Sequence, residues 1–272
     1  MADKLTLVAI FAHPDDEAFG TGGILTKYAK EGVNVHLVMA TRGEAGEVGN
    51  PTVTPTKPIS LLREQELRCA CECYGLKNLH LLGFMDGQTT MVPPSEAVYK
   101  LVELLRQLKP QVVISFGPEG VYGHFDHLAV HRWSIAAVKL AAETDRWPEI
   151  GPTHQVAKFY HRATAQAQVT DMKERLGREA IFMDGIPFPF IGYSMEQITT
   201  MINVKEYAQT KLEAIRCYAS QFSPEMPYLQ ADFDLAVSPW FWQETFILAQ
   251  VNGSPFVASD GDKESDLFAG VR

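Results

Sequence analysis

Apolar residues are distributed along the chain in short runs separated by amphipathic stretches. Residues 5–11 and 33–40 are apolar runs of strand length, the pattern of strands covered on both faces. Between them, residues 17–31 read as a helix stopped by Gly32. Residues 61–74 read as a helix ended by Gly75, and 79–82 as a short strand. Residues 95–108 predict a helix with Ser95 as N-cap and Pro110 just past its end. A strand over 111–116 and a long helix over 126–143 follow. Strands alternating with helical crossovers imply βαβ units and a Rossmann-like, three-layer α/β sandwich with a mostly parallel sheet.

From about residue 148 the rhythm loosens. One more strand is expected over 156–163, with helices near 170–176 and 204–220. Residues 182–193 are rich in Pro, Gly and Phe and read as an ordered, non-helical wall. The tail, 254–272, is rich in Gly, Asp and Ser and is expected to fray. The reading is a single α/β domain over 1–272 with a less regular C-terminal part.

Composition narrows the partners. The formal net charge of −9 disfavours nucleic acid and anionic membrane, both of which call for a positive footprint. Cys69, Cys71 and Cys73 crowd into one helix and Cys217 lies in another, unlike the framework of a secreted scaffold. On a helix Cys71 points away from Cys69 and Cys73, so the cysteines read as packing residues. No apolar run reaches the ~18–20 residues of a membrane span. The expectation is a cytoplasmic protein.

The chemistry lies at two strand ends. The first strand runs into His13-Pro14-Asp15-Asp16-Glu17, where open α/β sheets bind ligands. Pro14 restricts the turn, so His13 and Asp16 project toward one point while Asp15 projects differently. Imidazole with carboxylate suits Zn²⁺ or another first-row divalent metal such as Fe²⁺. The same residues also suit a plain helix start. The strand at 111–116 leads through a Gly/Pro-rich loop into His124-Phe125-Asp126-His127, and the two clusters can meet across one crevice. His131, one turn beyond His127, leaves a His127–His131 ligand pair as an alternative.

These segments resemble the LmbE/PIG-L family of zinc-dependent N-deacetylases. The likeness is carried by Ala12 to Glu17 with Gly22-Gly23, by Thr41 to Gly46, and by Arg63 ahead of Glu66-Leu67 and Ala70. It continues through Leu82 to Asp86, Tyr122 to His127, and Lys211 to Gln221. Phe125 departs from a common Pro, and Tyr218 from a common His. The resemblance implies His13, Asp16 and His127 as metal ligands, Asp15 as general base and His124 as the positive or proton-donating group. It also implies that Asp126 orients His124. Three ligands leave an open position for water, the plan of a catalytic zinc.

Arg42, Glu44, Arg63, Asp86 and Tyr122 are expected to face the same crevice and bind substrate. The long loop over 42–60 reads as a lid or binding wall. Trp240-Phe241-Trp242 could stack on a sugar ring but reads first as core or subunit contact, which leaves room for a homo-oligomer. The implied function is removal of an N-acyl group, in the first place acetyl, from an amino sugar or its glycoside. Two alternatives are a non-haem Fe(II) enzyme with a two-His-one-Asp triad and a non-catalytic sugar-binding module.

Overall fold

The computed structural model describes residues 4–183, 185–257 and 263–272. Strands β1 (Thr6–Phe11), β2 (Asn34–Met39), β3 (Asn78–Leu81), β4 (Val112–Phe116) and β5 (Lys158–Arg162) form a parallel array in the order β3-β2-β1-β4-β5. Every residue of β1 and β4 is buried, which is why these strands read as unbroken apolar runs. Helices α1 (Asp16–Gly20), α2 (Gly22–Lys30) and α3 (Ile59–Tyr74) precede β3; α4 (Pro94–Leu108), α5 (Gly120–Gly123) and α6 (Phe125–Ala141) flank β4. Right-handed crossovers place α2 and α3 on one face and α4 and α6 on the other, because the strand order reverses between β1 and β4. That reversal opens a crevice at the carboxyl ends of β1 and β4.

The expected helix over 17–31 is broken at Thr21 (φ −141°). Its cause lies far along the chain. Glu244, on β9 (Gln243–Val251), accepts the N–H groups of Gly23 and Ile24 at 2.9 and 2.8 Å and pairs with Lys211 at 3.0 Å. A buried carboxylate thus meets the first N–H groups of α2. A Cβ on Gly23 would stand 2.5 Å from Val204, so only glycine permits the approach. Ser95 does not cap α4, which starts directly after Pro93 without a side-chain cap.

The C-terminal part is more regular than its sequence pattern suggests. Helix α7 (Gln166–Leu176) is followed by a separate hairpin of β6 (Ala180–Met183) and β7 (Ile186–Pro189). Strand β8 (Thr200–Asn203), helices α8 (Ala208–Cys217) and α9 (Pro239–Trp242), and β9 complete the body. β9 runs antiparallel to both β5 and β8, and β10 (Ser254–Pro255) pairs with its end. The sequence pattern had left β9 unassigned. The tail does not fray over residues 263–272: Leu267 and Phe268 are fully buried, and Asp266 accepts from Tyr28 Oη at 2.9 Å. Residues 258–262 of the tail lie outside the described residues.

The cysteine reading holds for Cys71, which is buried, and fails for Cys69 and Cys217, which form a disulfide across 148 residues. Packing of α3 on α8 makes the pair, and that contact is invisible in local spacing. No helix of the described residues is long and apolar enough to cross a membrane.

Candidate active site

The loop after β1 and the loop after β4 bring His13, Asp16 and His127 together. His127 Nε2 lies 3.1 Å from an Asp16 carboxylate oxygen and 3.3 Å from His13 Nδ1. His13 Nδ1 lies 3.4 Å from the other Asp16 oxygen. Donor atoms bound tetrahedrally at the usual Zn–N and Zn–O lengths stand about 3.3 Å apart, so the three groups fit a divalent ion. The far side of each imidazole is also held. His127 Nδ1 faces Gly120 O at 3.1 Å, while His13 Nε2 faces Asp126 and Asp86 oxygens, each at 3.0 Å. Such partners fix the tautomer and aim the remaining nitrogen at a metal.

Asp126 departs from its expected task. Its carboxylate takes His13 Nε2, the Gly87 N–H at 2.7 Å and the Thr89 hydroxyl at 2.6 Å. Only its backbone N–H reaches His124, donating to Nδ1 at 3.1 Å. The physical reason is the helix start: at the first turn of α6 the Asp126 side chain turns toward His13, Gly87 and Thr89, and His124 caps the turn as N-cap. His124 therefore keeps a lone pair on Nδ1 and its proton on Nε2.

Asp15 sits at φ +104°, a strained conformation for a residue with a side chain. Among the described contacts its carboxylate pairs with neither His13 nor His127. Arg63 Nη2 holds it at 3.1 Å and also donates to Pro14 O at 2.6 Å. Glu66, one turn along the same helix, accepts from the backbone N–H and hydroxyl of Ser220 at 2.7 and 2.8 Å.

Electrostatics of the polypeptide separate the two adjacent aspartates. Burial raises Asp15 to about 7 despite the opposing Arg63 charge. Burial also acts upward on Asp16, but His127 and His13 outweigh it and hold Asp16 well below the usual carboxylate range. His124 falls to about 4, first through burial and then through the neighbouring imidazoles.

A cavity of about 770 Å³ opens over this cluster, a size suited to a small ligand. Of the five residues expected at the crevice, Arg63, Asp86 and Tyr122 line it. Arg42 does not; its Nε pairs with Glu64 on α3 at 2.7 Å. Glu44 braces the loops instead, accepting the N–H groups of Arg42 and Asp86 at 3.1 and 3.3 Å. Both corrections arise because α3 and the loop after β3 offer these side chains nearer partners than the crevice does. From the 42–60 loop, Ala45, Gly46 and Glu47 reach the wall.

His131 is excluded from the cluster, since its Nδ1 faces Phe116 O at 2.9 Å and its ring meets His161. Tyr218 donates to the buried Glu17 at 2.5 Å, behind the site. Trp240 is buried as expected, yet it stacks on Phe19 and also lines the cavity. Phe182 and Phe190 line the cavity from the segment read as a wall, whereas sequence reasoning missed Arg162, Arg178, Phe222 and Tyr228. Of these only Arg162 carried a signal, as a charged residue near the carboxyl end of an expected strand.

The family model for GlcNAc-PI de-N-acetylase (PIG-L) matches residues 8–138, which span both clusters. A 1D-myo-inositol 2-acetamido-2-deoxy-alpha-D-glucopyranoside deacetylase of Streptomyces griseus is 33% identical, the alignment covering 97% of this chain and 88% of the relative. The protein of the same name from Kineococcus radiotolerans is 30% identical, with 97% and 82% covered. Among solved structures, the N,N'-diacetylchitobiose deacetylase of Pyrococcus horikoshii has a similar fold: TM-score 0.67, 20% identity, 94% of this chain and 88% of that one covered.

Proposed function

This chain belongs to the PIG-L family of de-N-acetylases, and from that premise we propose that it deacetylates the 2-acetamido group of a glucosaminyl-inositol glycoside. The enzyme is a metal-dependent hydrolase that removes an N-acyl group from an amino sugar. The inositol glycoside itself is our reading, supported by the names of relatives aligned along nearly the whole chain. The observation that carries the site assignment is the His13–Asp16–His127 arrangement, with donor separations of 3.1 to 3.4 Å.

His13, Asp16 and His127 would hold the ion, and Zn²⁺ suits the two-imidazole, one-carboxylate set. When bound, a divalent ion acidifies water and polarises an amide carbonyl. Asp15, freed from ligation by its backbone turn, accepts the proton of the attacking water. Arg63 holds the carboxylate in place for that transfer. His124 offers its Nε2–H to the carbonyl oxygen as negative charge develops there. Asp15 then returns the proton to the departing nitrogen, giving the free amine and acetate. Asp126 acts through His13, by fixing its ring.

A base and a donor flanking the ligand triad favour hydrolysis over the Fe(II) oxidation and sugar-binding alternatives. Incubation with 1D-myo-inosityl 2-acetamido-2-deoxy-α-D-glucopyranoside tests the proposal. Stoichiometric release of primary amine and acetate is expected. Turnover of simple N-acetylglucosamine with no gain from the inositol would overturn the substrate assignment.

A further inference from the structure

Arg162 ends β5 at the level of the catalytic cluster, is 8% exposed, and lines the cavity. Its Nε has no partner, and no hydrogen bond or ion pair among the described residues reaches its guanidinium. The other buried arginines keep partners on their guanidinium groups, although Arg63 Nε, like that of Arg162, has none among the described residues. Arg63 is held by Asp15 and Pro14 O, and Arg106 by backbone carbonyls that include Trp147 O and Arg146 O.

The carboxylates whose fields act on Arg162 are already engaged. Asp16 is taken by His127, Glu119 by the Tyr193 hydroxyl, and Glu244 by Lys211 with the Gly23 and Ile24 N–H groups. A buried cation without a counter-ion is costly, and burial indeed lowers the pKa of Arg162 from its ordinary value. Arginine nonetheless keeps its charge.

The chain makes room for this side chain. A Cβ on Gly20 would fall 1.8 Å from Arg162 Nε, so glycine at position 20 lets the guanidinium lie against α1. Arg178 lines the same cavity. A second cation in a chain of net charge −9 adds to the positive field there. Planar guanidinium groups match carboxylate and phosphate oxygens in paired hydrogen bonds.

We propose that Arg162 is the centre of an anion subsite in the active-site cavity, taking a carboxylate or phosphate group. Two sources share that chemistry: an acidic group on the aglycone of the substrate, and the acetate that deacetylation releases. The inference rests on the deacetylase reading and adds to it a ligand class and the residue that selects it.

The test compares zinc-loaded wild type, Arg162→Met, Arg162→Lys and Gly20→Ala. Each is assayed on the N-acetylglucosaminyl-inositol glycoside, on the same glycoside phosphorylated on the inositol, and for inhibition by sodium acetate. An acidic aglycone as occupant predicts that wild type prefers the phosphorylated glycoside, and that Arg162→Met lowers this preference at least tenfold. Acetate as occupant predicts an inhibition constant at least tenfold weaker in Arg162→Met. In either case Arg162→Lys, which keeps the charge but not the paired donors, should retain part of the effect. Gly20→Ala, which displaces the guanidinium without removing it, should resemble Arg162→Met.

If wild type deacetylates the glycosides but Arg162→Met leaves both the preference and acetate inhibition unchanged, the subsite is wrong and the deacetylase reading stands. Equal loss on all substrates in Arg162→Met and Arg162→Lys, with no change in preference or inhibition, would make Arg162 a structural residue and overturn the proposal. No amine release from any glycoside by wild type would overturn the reading and the subsite with it.

Discussion

Asp126 Oδ2 lies 3.0 Å from His13 Nε2, on the opposite edge of the ring from the nitrogen that faces Asp16 and His127. The fully buried Asp126 carboxylate is therefore tied to the metal through His13. Removing such a partner costs ~10–100-fold in metal affinity. Asp126→Ala should show that loss by competition with a chelator, with much of its activity restored by excess Zn²⁺. Unchanged affinity would detach Asp126 from the metal centre.

Asp15 and Asp16 are adjacent in sequence and opposite in role. Asp15→Asn should keep its metal while kcat falls ~10²–10⁴-fold, since the amide cannot accept a proton. Asp16→Asn should lose metal, and added Zn²⁺ should partly restore it. Metal analysis beside kcat for both variants decides the matter; rescue of Asp15→Asn alone would reverse the roles.

His124 is tested by what it does not do. Its Nδ1 accepts from the Asp126 N–H at 3.1 Å, leaving Nε2–H as a donor. His124→Ala should retain metal and lose ~10²–10³ in kcat, the usual cost of one oxyanion donor. Metal loss equal to that of His127→Ala would make His124 a ligand.

Much of this was legible in the sequence. β1 and β4 are buried on both faces, so they read as apolar runs, and a chain leaving such a strand must present its next residues at the crevice. His13, Asp16, His124 and His127 follow from that logic. The rest depends on contacts between distant segments. Whether Arg42 meets substrate or Glu64 depends on where α3 packs. The break at Thr21 depends on Glu244, some 220 residues away. β9 holds a four-residue apolar run, Phe246 to Ala249, but polar residues flank it on both sides and half-buried positions are scattered along the strand, so it is less legible than β1.

A pH effect on stability follows from His36 and His80, whose rings meet across β2 and β3 with nitrogens 3.0 Å apart. Burial first, and the His80 charge second, lower His36 to about 4. An unfolded histidine binds its proton below ~6.5, so between about pH 4 and 6.5 the unfolded chain holds the extra proton. Stability should therefore rise with pH across that window and level off above it. The urea midpoint of His36→Leu, followed from pH 4.5 to 7.5, should rise less steeply than that of wild type. Equal slopes would remove His36 as a source.

The central claim is that His13, Asp16 and His127 are the ligands of one catalytic divalent ion. Anomalous diffraction at the zinc edge from zinc-loaded crystals tests it most directly. The account predicts one strong active-site peak about 2.0–2.2 Å from His13 Nδ1, an Asp16 oxygen and His127 Nε2. The structure offers a rival grouping on the other edge of the same ring, formed by His13, Asp86 and Asp126. A peak beside His13 Nε2 within that group, or one bound by His124 with Asp16 unligated, would contradict it.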